Sequence, residues 1–296
     1  MIFSYRIHFL FSYFCYMIII ADSGSTKTNW IIYDKGVVNG RIQTTGLNPN
    51  FSSASRIMSV IGENISPMVQ AGQYAEIYFY GSGCSGAYLR NKVSKTISKI
   101  FPGSVVEVNS DLLGAARALL GNTRGIACIL GTGSNSCLYD GEKIISNIPP
   151  LGFILGDEGS GASLGKRLLA DYLKGIMPGE VAKLFGKEFA TDKEKVIKEV
   201  YRGEFPSKYI ASFVVFLREN LQNEYCKKLL TDSFKDFIER NIMHYNGYRE
   251  MKISFTGSIA WYFNEILLKV LKEYGLTAGE VIKEPAERLM DYHLRK

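Results

Sequence analysis

The chain has 296 residues, of which 46% are apolar and 22% charged, with a formal net charge of +6. That length is near the size at which single cores divide, so two domains are expected, and the composition excludes a disordered or fibrous chain. Lysine and arginine are scattered with no run longer than a pair such as Lys166-Arg167, which excludes the electrostatic footprint of a nucleic-acid binder.

Residues 1–16, MIFSYRIHFLFSYFCY, precede the first strand signal. The apolar run from Phe9 to Ala21 behind Arg6 has the form of a signal peptide. Cleavage near Ala21 would delete the strand Met17 to Ala21, however, and a translation start at Met17 explains the same residues without that loss. Residues 1–16 are therefore expected to be an N-terminal extension, non-native or disordered. No membrane association is expected. The cysteines Cys15, Cys84, Cys128, Cys137 and Cys226 form no C-x-x-C pair and have no histidine at ligand spacing. A reducing, cytoplasmic setting without zinc or a disulfide framework fits them best.

Strand signals cluster at Met17 to Ala21, Asn29 to Tyr33 and Val37 to Thr44, separated by Asp22 to Thr28 and by the turn Asp34-Lys35-Gly36. A helical pattern over Ser53 to Val69 follows. Then come a strand at Glu76 to Tyr80, the turn GSGCSG, a helix at Tyr88 to Ile100, a strand at Val105 to Val108 and a helix at Asp111 to Leu120. The order then restarts with strands at Gly125 to Leu130, Ser136 to Tyr139 and Lys143 to Ser146. After a loop at Asn147 to Gly156, one long helical region is expected over about 158–245. Strand Lys252 to Phe255, helix Ile259 to Glu273 and strand Leu276 to Ile282 close the pattern, and Pro285 suits the first turn of a terminal helix. Three strands followed by alternating helix and strand, twice over, predict two copies of one mixed-sheet topology. The expected domains are 17–120, with 284–296 packing back on it, and 121–283 with a helical insertion.

Both copies open on the same kind of hairpin, ADSGSTKTNWIIYDKG at 21–36 and LGTGSNSCLYDG at 130–141. Tight turns of Gly, Ser and Thr expose consecutive backbone N–H groups, a concavity that attracts anionic oxygen. In the first, Gly24 permits close approach, Ser25 and Thr26 offer hydroxyls and Lys27 a point charge; an ordinary hairpin with a solvated lysine reads the same way. Recurrence at Gly131-Thr132-Gly133-Ser134-Asn135 favours a phosphate cradle. Asp22 suits a magnesium organiser, a carboxylate beside phosphate oxygens, and also an Asx turn. Asp111, where a strand ends and a helix starts, is the candidate proton acceptor; the same position suits a helix N-cap or first-turn acid. Asp157 and Glu158, between glycines in LGDEGSG, could accept hydroxyl hydrogens from a sugar or could cap the helix that follows. Gly257 and Ser258 in FTGSIA make a strand-to-helix turn that would also suit a flat base.

With DSGSTKT, GTGSNS, LGDEGSGASLG and FTGSIA in this order, the chain from about Met17 onward resembles the BadF/BadG/BcrA/BcrD-type ATPase family. It is most similar there to the N-acetylglucosamine kinases, within the superfamily of sugar kinases, actin and heat-shock chaperone ATPases. The resemblance implies an α/β, duplicated RNase H-like (actin-like ATPase) fold, two domains with mixed sheets flanking a nucleotide cleft, using ATP and Mg²⁺ on a small-molecule amino sugar. It matches Thr26 and Lys27 to the first phosphate loop and Gly131, Thr132 and Gly133 to the second. Asp111 matches the general base, Asp157 a sugar-hydroxyl acceptor, and Gly257 and Ser258 the adenosine side, while Asn135 and Asn48 fall where sugar contacts are expected. Asn29 stands where relatives often carry an acid. A homodimer is the expected assembly. Two other readings share the ATP loops: an ATPase activator of a 2-hydroxyacyl-CoA dehydratase or reductase, which would need an iron–sulfur cluster, and a nucleotide-binding sensor without transfer activity.

Overall fold

The computed structural model describes residues 17–70 and 72–295, so the expectations for residues 1–16 lie outside the described part of the chain. It divides into two compact units, one running to Gly114 and resuming at Pro285, the other from Ala115 to Glu284.

In the first unit β1 (Met17–Ser23), β2 (Lys27–Asp34) and β3 (Val37–Thr45) form the expected antiparallel meander, and β4 (Ala75–Gly81) and β5 (Val105–Ser110) extend it in parallel. Among the described residues they make one five-stranded sheet, ordered β3-β2-β1-β4-β5. Strand alternation sends Met17, Ile19, Ala21, Trp30, Ile77 and Phe79 to one face. There they form a core with Ile57 and Ile61 of α1 (Ala54–Asn64) and Val93 and Ile97 of α2 (Ala87–Ile100). The helical pattern over 53–69 is cut short. Ser53 caps α1 by accepting from Arg56 N, but Pro67 has no amide to donate, and only a 3-10 turn, Ser66–Met68, follows. Next comes α3 (Asp111–Leu120).

The second unit repeats the scheme with β6 (Gly125–Leu130), β7 (Ser134–Tyr139), β8 (Ile144–Ser146), β9 (Lys252–Thr256) and β10 (Thr277–Ile282). Its sheet runs β8-β7-β6-β9-β10, with the same antiparallel and parallel pairings in the same places. The fold is a duplicated RNase H-like α/β fold.

Between β8 and β9 lie α4 (Gly152–Leu155), inside the segment expected to be a loop, then α5 (Gly161–Leu173), α6 (Gly179–Phe189), α7 (Lys193–Arg202), α8 (Pro206–Ser212), α9 (Val215–Glu219) and α10 (Glu224–Arg240). The single helical region expected over 158–245 is thus a series of short helices, because the chain keeps supplying stops and starts. Gly175 takes a φ of 68° after α5, Asp192 caps α7 by accepting from Lys195 N, and Asn223 caps α10 by accepting from Tyr225 N. Phe185, Phe213 and Phe216 pack the insertion's own helices together inside the second unit's core, with the rings of Phe213 and Phe216 centred 5.8 and 5.1 Å from that of Phe185. The helix expected over 259–273 is also divided, into α11 (Ser258–Tyr262) and α12 (Asn264–Glu273), at Phe263, whose non-helical backbone turns its ring into the core. Finally α13 (Ala286–Leu294) packs on β1 and β2 of the first unit. Among the described residues no helix is long and apolar enough to cross a membrane.

Candidate functional site

In the first unit, Ser23, Gly81 and Ser110 are in register, so β1, β4 and β5 finish along one edge. Ligands of open α/β sheets bind at such carboxyl ends. The first hairpin closes there, with Gly24 N donating to Lys27 O at 2.9 Å. Its turn is tighter than the span from Asp22 to Thr28. Ser23 and Thr28 already pair as strand residues with hydroxyls 2.8 Å apart, so Ser25 and Thr26 are exposed at the tip and Lys27 begins β2.

Ser23, inside DSGSTKT but given no role by the sequence, also accepts from Leu47 N at 3.1 Å, and Gly46 N donates to Thr26 O at 3.1 Å. Together they draw the loop bearing Asn48 onto the hairpin. Asn48 Oδ1 accepts from Asn50 N at 3.0 Å, and a side chain at Gly83, in the GSGCSG turn, would overlap it. Asn29 lies opposite Asp22 in the ladder and accepts from Gln43 Nε2 at 2.8 Å.

Asp111 opens α3 just past the end of β5. Ser110 Oγ accepts from Leu113 N at 3.2 Å and so acts as the N-cap, leaving Asp111 free of the capping role the sequence allowed it. Its own Oδ1 accepts from Leu112 N at 2.9 Å. Burial pushes the Asp111 carboxyl up to about 6, against the lowering effect of that amide.

Asp22 is half-buried at the end of β1. Among the described residues no group of three or more His, Cys, Asp or Glu side chains could hold a metal ion. The single carboxylate of Asp22 is compatible with Mg²⁺, which is commonly held by one or two carboxylates together with substrate phosphates rather than by a protein cage.

In the second unit the Gly131-Thr132-Gly133 turn joins β6 to β7. Gly131 O and Thr132 O accept from Gly161 N at 2.8 Å and Ala162 N at 2.9 Å, which ties the turn to the start of α5. Asp157 is buried, with a φ of 58°, the left-handed region that Asp tolerates better than most residues. Its carboxylate accepts from the backbone N–H of Ser134 at the start of β7. Burial nevertheless raises it to about 6, assisted by the charge of Glu158. A side chain at Gly133 would lie 2.9 Å from Asp157 Oδ2, so this glycine makes room for the carboxylate as well as shaping the turn.

Glu158 turns elsewhere, to Arg240 Nη1 and Asn241 Nδ2, each at 3.5 Å. Only Asp157 of the acid pair meets the hairpin. Asn135 falls within β7, where its Oδ1 accepts from Asn147 Nδ2 at 2.9 Å. Asn147 also donates to Ser136 O at 2.7 Å, a locking role with no local sequence signature. Gly257 stands with φ 111° and ψ 161°, where an added Cβ would overlap Leu130 O, and the exposed Ser258 begins α11. The structure thus brings Asp157, Gly133 and Ser134 together in this unit and sets Gly257 against the other end of the same turn.

No family model and no curated protein sequence matches the chain. Solved structures do. One from Porphyromonas gingivalis, provisionally named an N-acetylglucosamine kinase, is 41% identical over 95% of this chain and 99% of its own, with a TM-score of 0.88. Another from Chromobacterium violaceum, with the same provisional name, is 18% identical over 93% of this chain and 98% of its own, with a TM-score of 0.70. A hexokinase from Schistosoma mansoni complexed with glucose is 10% identical over 95% of this chain and 85% of its own, with a TM-score of 0.51. The last two show the fold alone. The 41% identity over nearly the whole of both chains shows more: the protein belongs to the BadF/BadG-type family of sugar kinases and is a phosphotransferase.

Proposed function

We propose that the protein transfers the γ-phosphoryl group of ATP to the 6-hydroxyl of N-acetylglucosamine or a related amino sugar. The observation that carries this reading is Asp111, a carboxylate at the carboxyl edge of parallel strands, relieved of helix capping by Ser110 and raised by burial toward neutral pH. The choice of sugar follows the provisional name of the 41% identical structure.

In the reaction Asp111 takes the proton as the sugar oxygen attacks the γ-phosphorus; the new P–O bond forms as the bond to the β-phosphate oxygen breaks, and ADP leaves. A loose phosphoryl-transfer transition state needs positioning and charge neutralisation more than covalent help. Backbone N–H groups and hydroxyls of Ser25, Thr26, Thr132 and their glycines would contact the phosphates, with Lys27 adding charge. Gly257 and Ser258 would border the adenosine. Mg²⁺ beside Asp22 would neutralise phosphate charge. Asp157 would accept hydroxyl hydrogens of the sugar, with Asn48 and Asn135 as further contacts and Glu158 holding the loop through Arg240 and Asn241.

An ADP-release assay over a panel of amino sugars and hexoses, with Mg²⁺ present, tests the reading. ADP release that ignores every sugar would overturn it. Asp157→Ala is expected to raise the KM for the sugar by about 10- to 100-fold with a much smaller change for ATP, as expected when a buried hydrogen-bond acceptor for substrate is lost; equal changes in both would take Asp157 away from the sugar. A protonated base cannot accept a proton, so kcat should rise with pH up to about 6 and level off above it. A kcat that falls over that range would contradict the assignment of Asp111.

A further inference from the structure

We propose that His293, in α13, is a positioning residue for Asp111, acting through Tyr80; the inference rests on Asp111 being the base. Helix α13 lies on the face of the first sheet opposite α1 and α2. At one end Glu287 Oε1 pairs with Arg41 Nε of β3 at 2.6 Å. At the other, His293 is buried at 3% exposure, its ring stacked on Tyr78 of β4 with centroids 3.6 Å apart and planes at 21°. His293 Nε2 is 2.8 Å from the hydroxyl of Tyr80.

Tyr80 is fully buried and sits in register between Asp22 of β1 and Asn109 of β5, so the three side chains project from the same face. Its ring also touches α3. A Cβ at Gly114 would come within 2.9 Å of Tyr80 Cγ and Cδ1, so glycine there lets the ring press directly on the helix backbone. Gly114 is three residues beyond Asp111, on the same side of the first turn. A buried phenol needs a hydrogen-bond partner to keep its place, and His293 provides one. The terminal helix thereby fixes the ring that seats the turn carrying Asp111. Displacement of a reacting group by about 1 Å can cost on the order of 10²-fold in rate, so this support bears on turnover.

Three variants separate the role from general stability. Tyr80→Phe keeps the ring and removes only the hydroxyl; His293→Leu removes the partner; His293→Gln keeps a polar atom near the place of Nε2. Tyr80→Phe and His293→Leu are expected to lower kcat by about tenfold with little change in the KM for ATP, and their double variant should lose no more than either alone, as residues acting as a unit do. His293→Gln should recover most of the turnover. Hydrogen exchange at residues 115–118, whose amides close the first turn of α3, should quicken in the two damaging variants and return toward wild type in His293→Gln. Unchanged kcat in Tyr80→Phe, losses that multiply in the double variant, or unaltered exchange in α3 would each overturn the proposal. A wild-type protein inert on every sugar would remove the proposed function and this role with it, whereas an active wild type with unaffected variants would remove this role alone.

Discussion

Asp111→Asn is expected to lower kcat by about 10²- to 10⁴-fold, the usual contribution of a general base, while ATP binding persists. The substitution is nearly isosteric. Its amide oxygen can still accept from Leu112 N, and Ser110 still caps α3, so the helix start has no reason to move. What disappears is the ability to take a proton. The same change should stabilise the protein at neutral pH. Folding raises the carboxyl from 3.8 to about 6, so the native state holds the proton more tightly than the unfolded chain. The stability linked to that proton is complete below about pH 3.8 and is lost as the pH rises through about 6. Above that range the wild-type chain bears a partly buried charge that asparagine does not. A variant with a raised Tm at pH 7.5, unaltered ATP binding by calorimetry and almost no turnover is the expected result. Near-normal turnover would remove Asp111 from the mechanism.

Gly257→Ala should damage nucleotide binding through the backbone of the second unit's glycine-rich turn. A φ of 111° with ψ 161° belongs to a region almost confined to glycine, and placing another residue there costs about 1–3 kcal/mol. The new Cβ would also overlap Leu130 O and stand 2.7 Å from Leu130 C and 3.2 Å from Gly131 N. Those are backbone atoms of the strand end that feeds the Gly131-Thr132-Gly133 turn, and they can yield only by moving the turn. A Tm lower by several degrees and an ATP Kd weakened by at least about tenfold are expected, in keeping with the strain and displacement together. Scanning fluorimetry and ATP titration check the two parts separately. A variant with a lowered Tm but wild-type ATP affinity would show that the turn does not contact the nucleotide.

The repeated architecture was legible in the chain because it is written in local chemistry. Strand alternation, the Gly, Ser and Thr turns and the return of the same order of elements predicted two copies of one topology, and both sheets have it. Helix extents were legible only in part. The expected helix past Asn64 ignored what Pro67 forbids, and the long helical region missed stops at Gly175, Asp192 and Asn223 that residue type alone already marked. Asp157 was visible as a carboxylate between glycines, but its bond to Ser134 N and its crowding against Gly133 were not.

By itself the sequence determined the α/β class, the duplication and the candidate groups Asp22, Asp111, Asp157 and the two glycine-rich turns, since each depends on residue type and near neighbours. Only the tertiary structure decided which carboxylate of the Asp157-Glu158 pair meets the hairpin, that Ser110 and not Asp111 caps α3, and that His293 reaches Tyr80. The physical reason is directional. Hydrogen bonds and close packing depend on where side chains from distant segments come to lie, and periodicity along the chain fixes which face a residue points to but not what it meets there.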